Sequence, residues 1–164
     1  MTNYRDSGFA STTITRPSNV NIYVDNDVIS TSSGSILTFS NITKIPGSNV
    51  IIINANIMIN TNTVPSGMDG FRLHFYNASP TAIADNSPFN IPEADRSKYL
   101  GFATIDTPVD FGDTVYIQKV NINKMIKLVN CPDVYGILEA VNGFTPPSGS
   151  IFTISIGVLG AIGV

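Results

Sequence analysis

The sequence predicts an all-β chain folded as an antiparallel two-sheet sandwich, and three observations carry that prediction. From residue 21 onward, short runs rich in Ile, Val, Phe, Tyr and Thr are separated by Gly, Pro, Asn, Asp and Ser. No segment shows the sustained apolar period of a long amphipathic helix. Strands do not alternate with helices, which disfavours a parallel α/β sheet. A length of 164 residues suits one domain. Eight or nine short strands punctuated by turns indicate a sandwich of jelly-roll or Greek-key type. The chain divides into a polar N-terminal arm, 1–19, and a single β-sandwich domain, 20–164, with one short helix.

Residues 1–19 are turn-rich, with Tyr4, Phe9 and Ile14 as isolated apolar points. Alone, they bury too little surface to offset their ordering entropy. The expectation is an arm pinned against another subunit, by strand addition of Thr12–Thr15 to a neighbouring sheet edge, with the arm folding back on its own domain as the alternative. Strands are expected at Asn21–Asp25, Ser35–Ser40 and Asn49–Asn60. In the last of these, Ile53, Ala55, Ile57 and Ile59 share one face while Asn54 and Asn56 take the other. Phe71–Asn77 alternates Phe71, Leu73 and Phe75 against Arg72, His74 and Tyr76, the pattern of an antiparallel strand with one wet face.

Pro80, Pro88 and Pro92 make residues 77–97 a long connection. Within it, Pro92-Glu93-Ala94-Asp95 followed by Lys98 has the order of a short helix. Further strands are expected at Leu100–Ile105, Asp113–Lys119, Lys124–Val129, Val134–Val141 and Ser150–Val158. Asn142-Gly143 with the Pro-rich loop beyond it predicts a hairpin between the last two. The apolar, glycine-punctuated end from Gly157 either completes the core or docks on a partner.

Charged residues are 13%, against roughly 25% in ordinary soluble domains. In their place stand 17 Asn, 16 Ser and 15 Thr, and the formal net charge is only −3. So weak a field does not steer nucleic acid or anionic membranes, and it suits a face lying against another protein. Twenty-two Ile supply a real core and exclude whole-chain disorder. Cys131 has no disulfide partner, and with His74 as the sole histidine a Cys/His zinc site cannot be assembled. No apolar run approaches the roughly 20 residues of a membrane helix, and the start lacks a signal-peptide pattern. A soluble protein made in a reducing cytoplasm is expected.

Chemistry is sparse. A Ser-His-Asp or Cys-His centre would have to use His74, which a sheet-edge position explains as well. Cys131 before Pro132 reads as a semi-buried thiol. Of Glu93, Asp95, Asp106, Asp110, Asp113, Asp133 and Glu139, only Glu93 and Asp95 fall at a spacing of two, and they fit a helix start. Asp25-Asn26-Asp27 opens like a calcium loop but lacks the Gly and closing Glu, so it reads as a turn. No cofactor, metal or catalytic group is expected.

Three stretches carry a resemblance: Asp85-Asn-Ser-Pro-Phe-Asn-Ile-Pro-Glu-Ala-Asp-Arg-Ser-Lys-Tyr-Leu-Gly101, Val134-Tyr-Gly-Ile-Leu138 and Thr145-Pro-Pro-Ser-Gly-Ser-Ile-Phe-Thr-Ile154. They lie in the half of the chain that resembles small virion proteins of tailed bacteriophages. The resemblance implies a β-sandwich or jelly-roll decoration (cement) protein that sits on the outer capsid surface as a homotrimer, partnered by the major capsid protein. Neither nucleic acid nor membrane is an expected partner. The rival reading keeps the sandwich as a tail, fibre or baseplate module binding a host receptor. Expected contact residues are Asn3, Tyr4, Arg5 and Phe9 in the arm, with Asn142, Gly143 and Phe144 as a second surface; aromatic and Arg anchors are common hot spots.

Overall fold

The computed structural model describes residues 7–160. Ten strands follow in chain order: β1 (Ser7–Thr15), β2 (Val28–Ile29), β3 (Leu37–Phe39), β4 (Asn49–Ile59), β5 (Gly70–Tyr76), β6 (Tyr99–Asp106), β7 (Val109–Asp110), β8 (Val115–Lys127), β9 (Val134–Val141) and β10 (Ile151–Gly160). The expected helix is a single 3-10 turn, Glu93–Asp95. β-branched Ile and Val dominate the strands because they pack well on a pleated surface.

One sheet has the order β1-β10-β4-β8-β7 and the other β2-β9-β5-β6, with β3 also on β9. Every pairing is antiparallel. β2 and β3 pair with successive parts of β9 and act as one interrupted strand. With the two-residue β7 set aside and β2 and β3 taken as one, the chain alternates between sheets except at β5 and β6, which are neighbours in one sheet; first and last strands are neighbours and second pairs with next-to-last. That order is the jelly roll, two Greek keys closed on each other. Between the sheets lies the Ile-rich core, in which the Phe71 ring meets Phe144 and Phe152 edge-on at centroid separations of 6.0 and 5.7 Å.

Several expectations are corrected. The supposed arm is, over Ser7–Thr15, the outer strand of the first sheet, with Ala10 and Ile14 in the core. Thr12–Thr15 therefore pair with β10 of their own domain rather than with another subunit. Only two apolar inward side chains mark this strand, too few to show period two against the surrounding Ser and Thr. Asn21–Asp25 is not a strand, although Tyr23 within it is fully buried.

Asp113–Lys119 and Lys124–Val129 form one strand broken by an irregularity. Register passes from Asn54↔Val120 to Ile52↔Lys124, leaving Ile53 unpaired opposite Asn121, Ile122 and Asn123. Asn121 and Asn123 take positive φ, a conformation Asn tolerates better than most residues. Ile53 is thus the bulge residue, and Val50 and Ile52 join Ala55, Ile57 and Ile59 in the core.

The expected hairpin at Asn142-Gly143 is absent because β9 and β10 belong to opposite sheets. Its loop crosses the sandwich, and Phe144 is carried into the core at 2% exposure, against rings of Tyr23 and Phe71. Phe144 is therefore removed from the expected contact surface. The second face of β5 is not wet either, since His74 and Tyr76 are both buried.

Candidate interaction surface

Register places side chains on the outer face of the first sheet in three rungs: Phe9–Gly157–Asn54–Val120, Ser11–Ser155–Asn56–Gln118 and Thr13–Thr153–Met58–Tyr116. No residue in these rungs is charged. The middle rung is a ladder of hydroxyls and amides, in which Ser11 and Ser155 hydroxyls lie 2.7 Å apart. Asn56 Oδ1 beside them is enclosed yet has no hydrogen-bond partner among the described residues. Gly157 makes room for the Asn54 amide, since a Cβ there would fall 2.6 Å from Asn54 Oδ1. Phe9, at 68% exposure, and Val120 stand at opposite ends of one rung, with Met58 exposed in another. Amides and hydroxyls with interspersed apolar groups make a surface that is desolvated far more cheaply than a charged one.

The outer face of the second sheet has the opposite chemistry. Its rungs are Glu139–Arg72–Thr104, Ile137–His74–Phe102 and Tyr135–Tyr76–Tyr99. Glu139, buried at 2% exposure, accepts hydrogen bonds from Arg72 Nη1 and, at 2.5 Å, from His74 Nε2. His74 Nδ1 lies 3.0 Å from the Tyr99 hydroxyl, and Phe89 from the 77–98 connection stacks on the imidazole at 3.8 Å. Ile83 and Phe89 complete an apolar cover over Val28, Tyr76 and Ile137. Burial pushes the Tyr76 and Tyr99 phenols above their ordinary range, with Tyr99 adding to the rise at Tyr76 and the Glu139 charge to that at Tyr99.

Two anchors hold this cover down. Asp95 accepts from the Lys98 ammonium and from the Thr81 backbone N–H, both at 2.7 Å, and these bonds lower its pKa to about 2. Asp85 reaches the other way: it accepts from Tyr23 Oη at 2.5 Å, from the Ser30 N–H at 3.0 Å and from Arg16 Nη2 at 3.2 Å. Arg16 also donates to the Tyr23 hydroxyl and the Pro147 carbonyl. Burial, followed by the bond to Asp85, raises the Tyr23 pKa. Asp85, Phe89, Asp95 and Tyr99, all in the first stretch that carries the resemblance, thus fasten the connection to the sheet.

His74 is therefore a structural link. Its imidazole is roofed by Phe89, and neither surface cleft described below is lined by it. Cys131 is partly buried, with Sγ 3.5 Å from the Asp133 carbonyl oxygen. Asp25 and Asp27 close a turn: Asp27 Oδ2 accepts from the Val24 N–H at 2.8 Å, and Asp25 Oδ1 accepts from the Asn142 N–H at 3.3 Å. Among the described residues, no group of three or more His, Cys, Asp and Glu is placed to hold a metal ion, and no helix is long and apolar enough to cross a membrane.

Of the expected contact residues, Phe9 lies on the neutral face, and Asn142 and Gly143 sit in the crossing loop, where Asn142 Nδ2 donates to Asp69 at 2.9 Å. Asn3, Tyr4 and Arg5 fall outside the described residues. The sequence reading missed the face itself, although Asn54 and Asn56 alternating with Ala55 and Ile57 were its visible trace. Two clefts run along the seam between β6 and β8. One, of about 520 Å³, is lined by Phe111, Tyr116, Gln118, Asp106 and Lys119 among others; its neighbour, of about 380 Å³, by Phe102, Asn121, Ile122 and Lys124 among others.

The fold and its surfaces define a single jelly-roll domain with one clamped and one open outer face. No protein-family model and no curated protein sequence matches the chain. Among solved structures it is similar to the capsid of Ralstonia phage GP4, with a TM-score of 0.43 and 9% identity over 98% of this chain and 86% of that one. It is similar also to the native virion of Kashmir bee virus, with a TM-score of 0.32 and 12% identity over 96% of this chain and 73% of that one. The CBM22-1–GH10 modules of Clostridium thermocellum xylanase 10B give a TM-score of 0.31 and 12% identity, over 97% of this chain and 28% of that one. Such superpositions add nothing to what the strand order says of the fold, and they assign no role.

Proposed function

We propose that this protein is a non-enzymatic capsid decoration protein of a tailed bacteriophage, seated with the outer face of its first sheet on the major capsid protein at the outer surface of the virion. The observation that supports it is the three charge-free rungs, from Phe9 and Val120 through Gln118 to Met58. Each copy that binds only the assembled shell adds binding free energy to that state by mass action. Resistance to disassembly follows from that linkage and needs no catalytic group.

The test is to add the purified chain to shells that lack it and count bound copies per shell subunit. Wild type is expected to saturate near one copy per shell subunit. Met58→Glu and Phe9→Glu, which place a charge on the face, are expected to lose binding while keeping the wild-type melting temperature. Wild-type occupancy by both variants overturns the proposal. A second reading, a tail or fibre module for a host receptor, is favoured by the exposed Phe111 ring 6.0 Å from Tyr116 beside Gln118 and Asp106. Copy number decides between them: a shell protein is present in hundreds of copies per virion, and a tail module in a few tens at most.

A further inference from the structure

The jelly roll has four sheet edges, and three are blunted. β7 and β2 have two residues each. β6 is kinked by Gly101 at φ +94° and by a register shift opposite Phe75 and Tyr76, and Lys124 Nζ crowds Gly101. Short strands, irregular backbone and lysines are the usual defences against pairing with another chain. β1 has none of them. It runs nine residues in unbroken register with β10 and contains no charged residue and no proline.

The hydrogen-bond parity of that edge can be read directly. The Arg16 N–H donates to the Ser150 carbonyl just beyond the strand, so the pairs Ile14–Phe152, Thr12–Ile154 and Ala10–Ile156 are the hydrogen-bonded ones. The N–H and C=O groups of Phe9, Ser11, Thr13 and Thr15 consequently point away from β10. All four residues are exposed, and among the described residues no backbone partner from another element meets them.

We infer that β1 pairs antiparallel with β1 of a second copy of this chain about a two-fold axis at Ser11. The segment is self-complementary in that register. Ser11 faces Ser11, the bulky Phe9 faces Thr13, and Ala10 faces Thr12. Like charges, which would forbid self-pairing, are absent. Because the outward-pointing groups are those of odd-numbered residues, this register makes them the hydrogen-bonded pairs, roughly ten bonds in all. The two first sheets then form one continuous sheet whose outer face joins both neutral surfaces. The pairing does not depend on what that face docks on, and it associates copies by twos rather than as the trimer that the resemblance implies.

The test is the solution mass of the full chain by light scattering or sedimentation equilibrium. Wild type is expected at two chains per particle. Ser11→Lys places two ammonium groups face to face at the axis and is expected at one chain, as is Ser11→Glu, both with the wild-type β-sheet circular dichroism. An equimolar mixture of the two variants is expected to restore two chains. Thr13→Pro, which removes an N–H that β10 does not use, gives a second route to one chain. A wild-type mass of one or three chains, or a two-chain particle that survives Ser11→Lys and Thr13→Pro, overturns the inference.

Discussion

The two outer faces of the sandwich are built from opposite materials. Over the second sheet the chain folds its own 77–98 connection back as a cover and ties buried Glu139 and His74 to the partly exposed Arg72 and Tyr99 in one polar network. Over the first sheet nothing from the described residues is laid, and the rungs hold Ser, Thr, Asn and Gln with scattered apolar side chains. Charge is thus spent inside the clamp, where partners are fixed within the chain, and withheld from the open face. A surface with no unpaired charge can be covered by another protein without the several kcal/mol that stripping water from an ion costs. The clamped face serves the fold, and the open face is the one free to serve a partner.

The strongest way to break this comparison is to remove the group at the centre of the clamp. Glu139→Ala leaves the Arg72 guanidinium and the buried His74 ring without their shared acceptor, and loss of one partner from such a network costs about 3 kcal/mol. Urea unfolding should show that loss. Gln118→Ala on the open face should stay within about 0.5 kcal/mol of wild type. Equal costs at the two positions would mean that the faces do not differ as described.

Much of this architecture was legible in the sequence. Nearly every expected strand with strict apolar alternation, such as Phe71-Leu73-Phe75, stands where it was read, because side-chain period is a local property. Features that depend on distant segments were not legible. β1 is recognisable only once β10 is laid beside it, since Ala10 and Ile14 alone do not announce a strand. The loop at Asn142-Gly143 has hairpin chemistry, yet Phe144 finds a place between Tyr23 and Phe71 and draws the chain across to the other sheet. His74 reads as a wet-face residue until Phe89, fifteen positions on, closes over it. The open face was half legible: the low charge of the whole chain announced it, but only register collects Phe9, Asn56 and Gln118 on one surface.

Acid sharpens the comparison with a smaller effect, because it acts on the anchor of the cover. The Asp95 carboxyl titrates at about 2 in the folded protein, below its ordinary 3.8, held there chiefly by the Lys98 hydrogen bond and the Thr81 N–H. A depressed carboxylate contributes stability that is complete above the unfolded value and disappears as pH falls through the folded one. Asp95→Asn should therefore flatten the wild-type decline in stability between pH 4 and pH 2 while leaving the chain less stable at neutral pH. An unchanged acid slope would show that the 77–98 cover is held by its apolar contacts, Phe89 on His74 foremost, and not by Asp95.

The smallest expected effect has the opposite sign. Asn56 Oδ1 lies enclosed in the middle rung with no partner among the described residues, and an unsatisfied buried acceptor costs about 1–3 kcal/mol that an apolar side chain of similar size does not incur. Asn56→Leu should therefore leave the isolated chain as stable as wild type or more stable by about 1 kcal/mol, measured as a shift in the urea midpoint at constant slope. An amide that costs stability in the free protein is explained if docking turns its side chain outward to a donor on the docked surface. The same variant should then occupy the shell less fully than wild type in the binding assay. A stabilised variant that binds at full occupancy would mean that Asn56 is not part of the contact. A destabilised one would show that the amide is already satisfied within the chain, and would remove Asn56 from the case for docking on the first sheet.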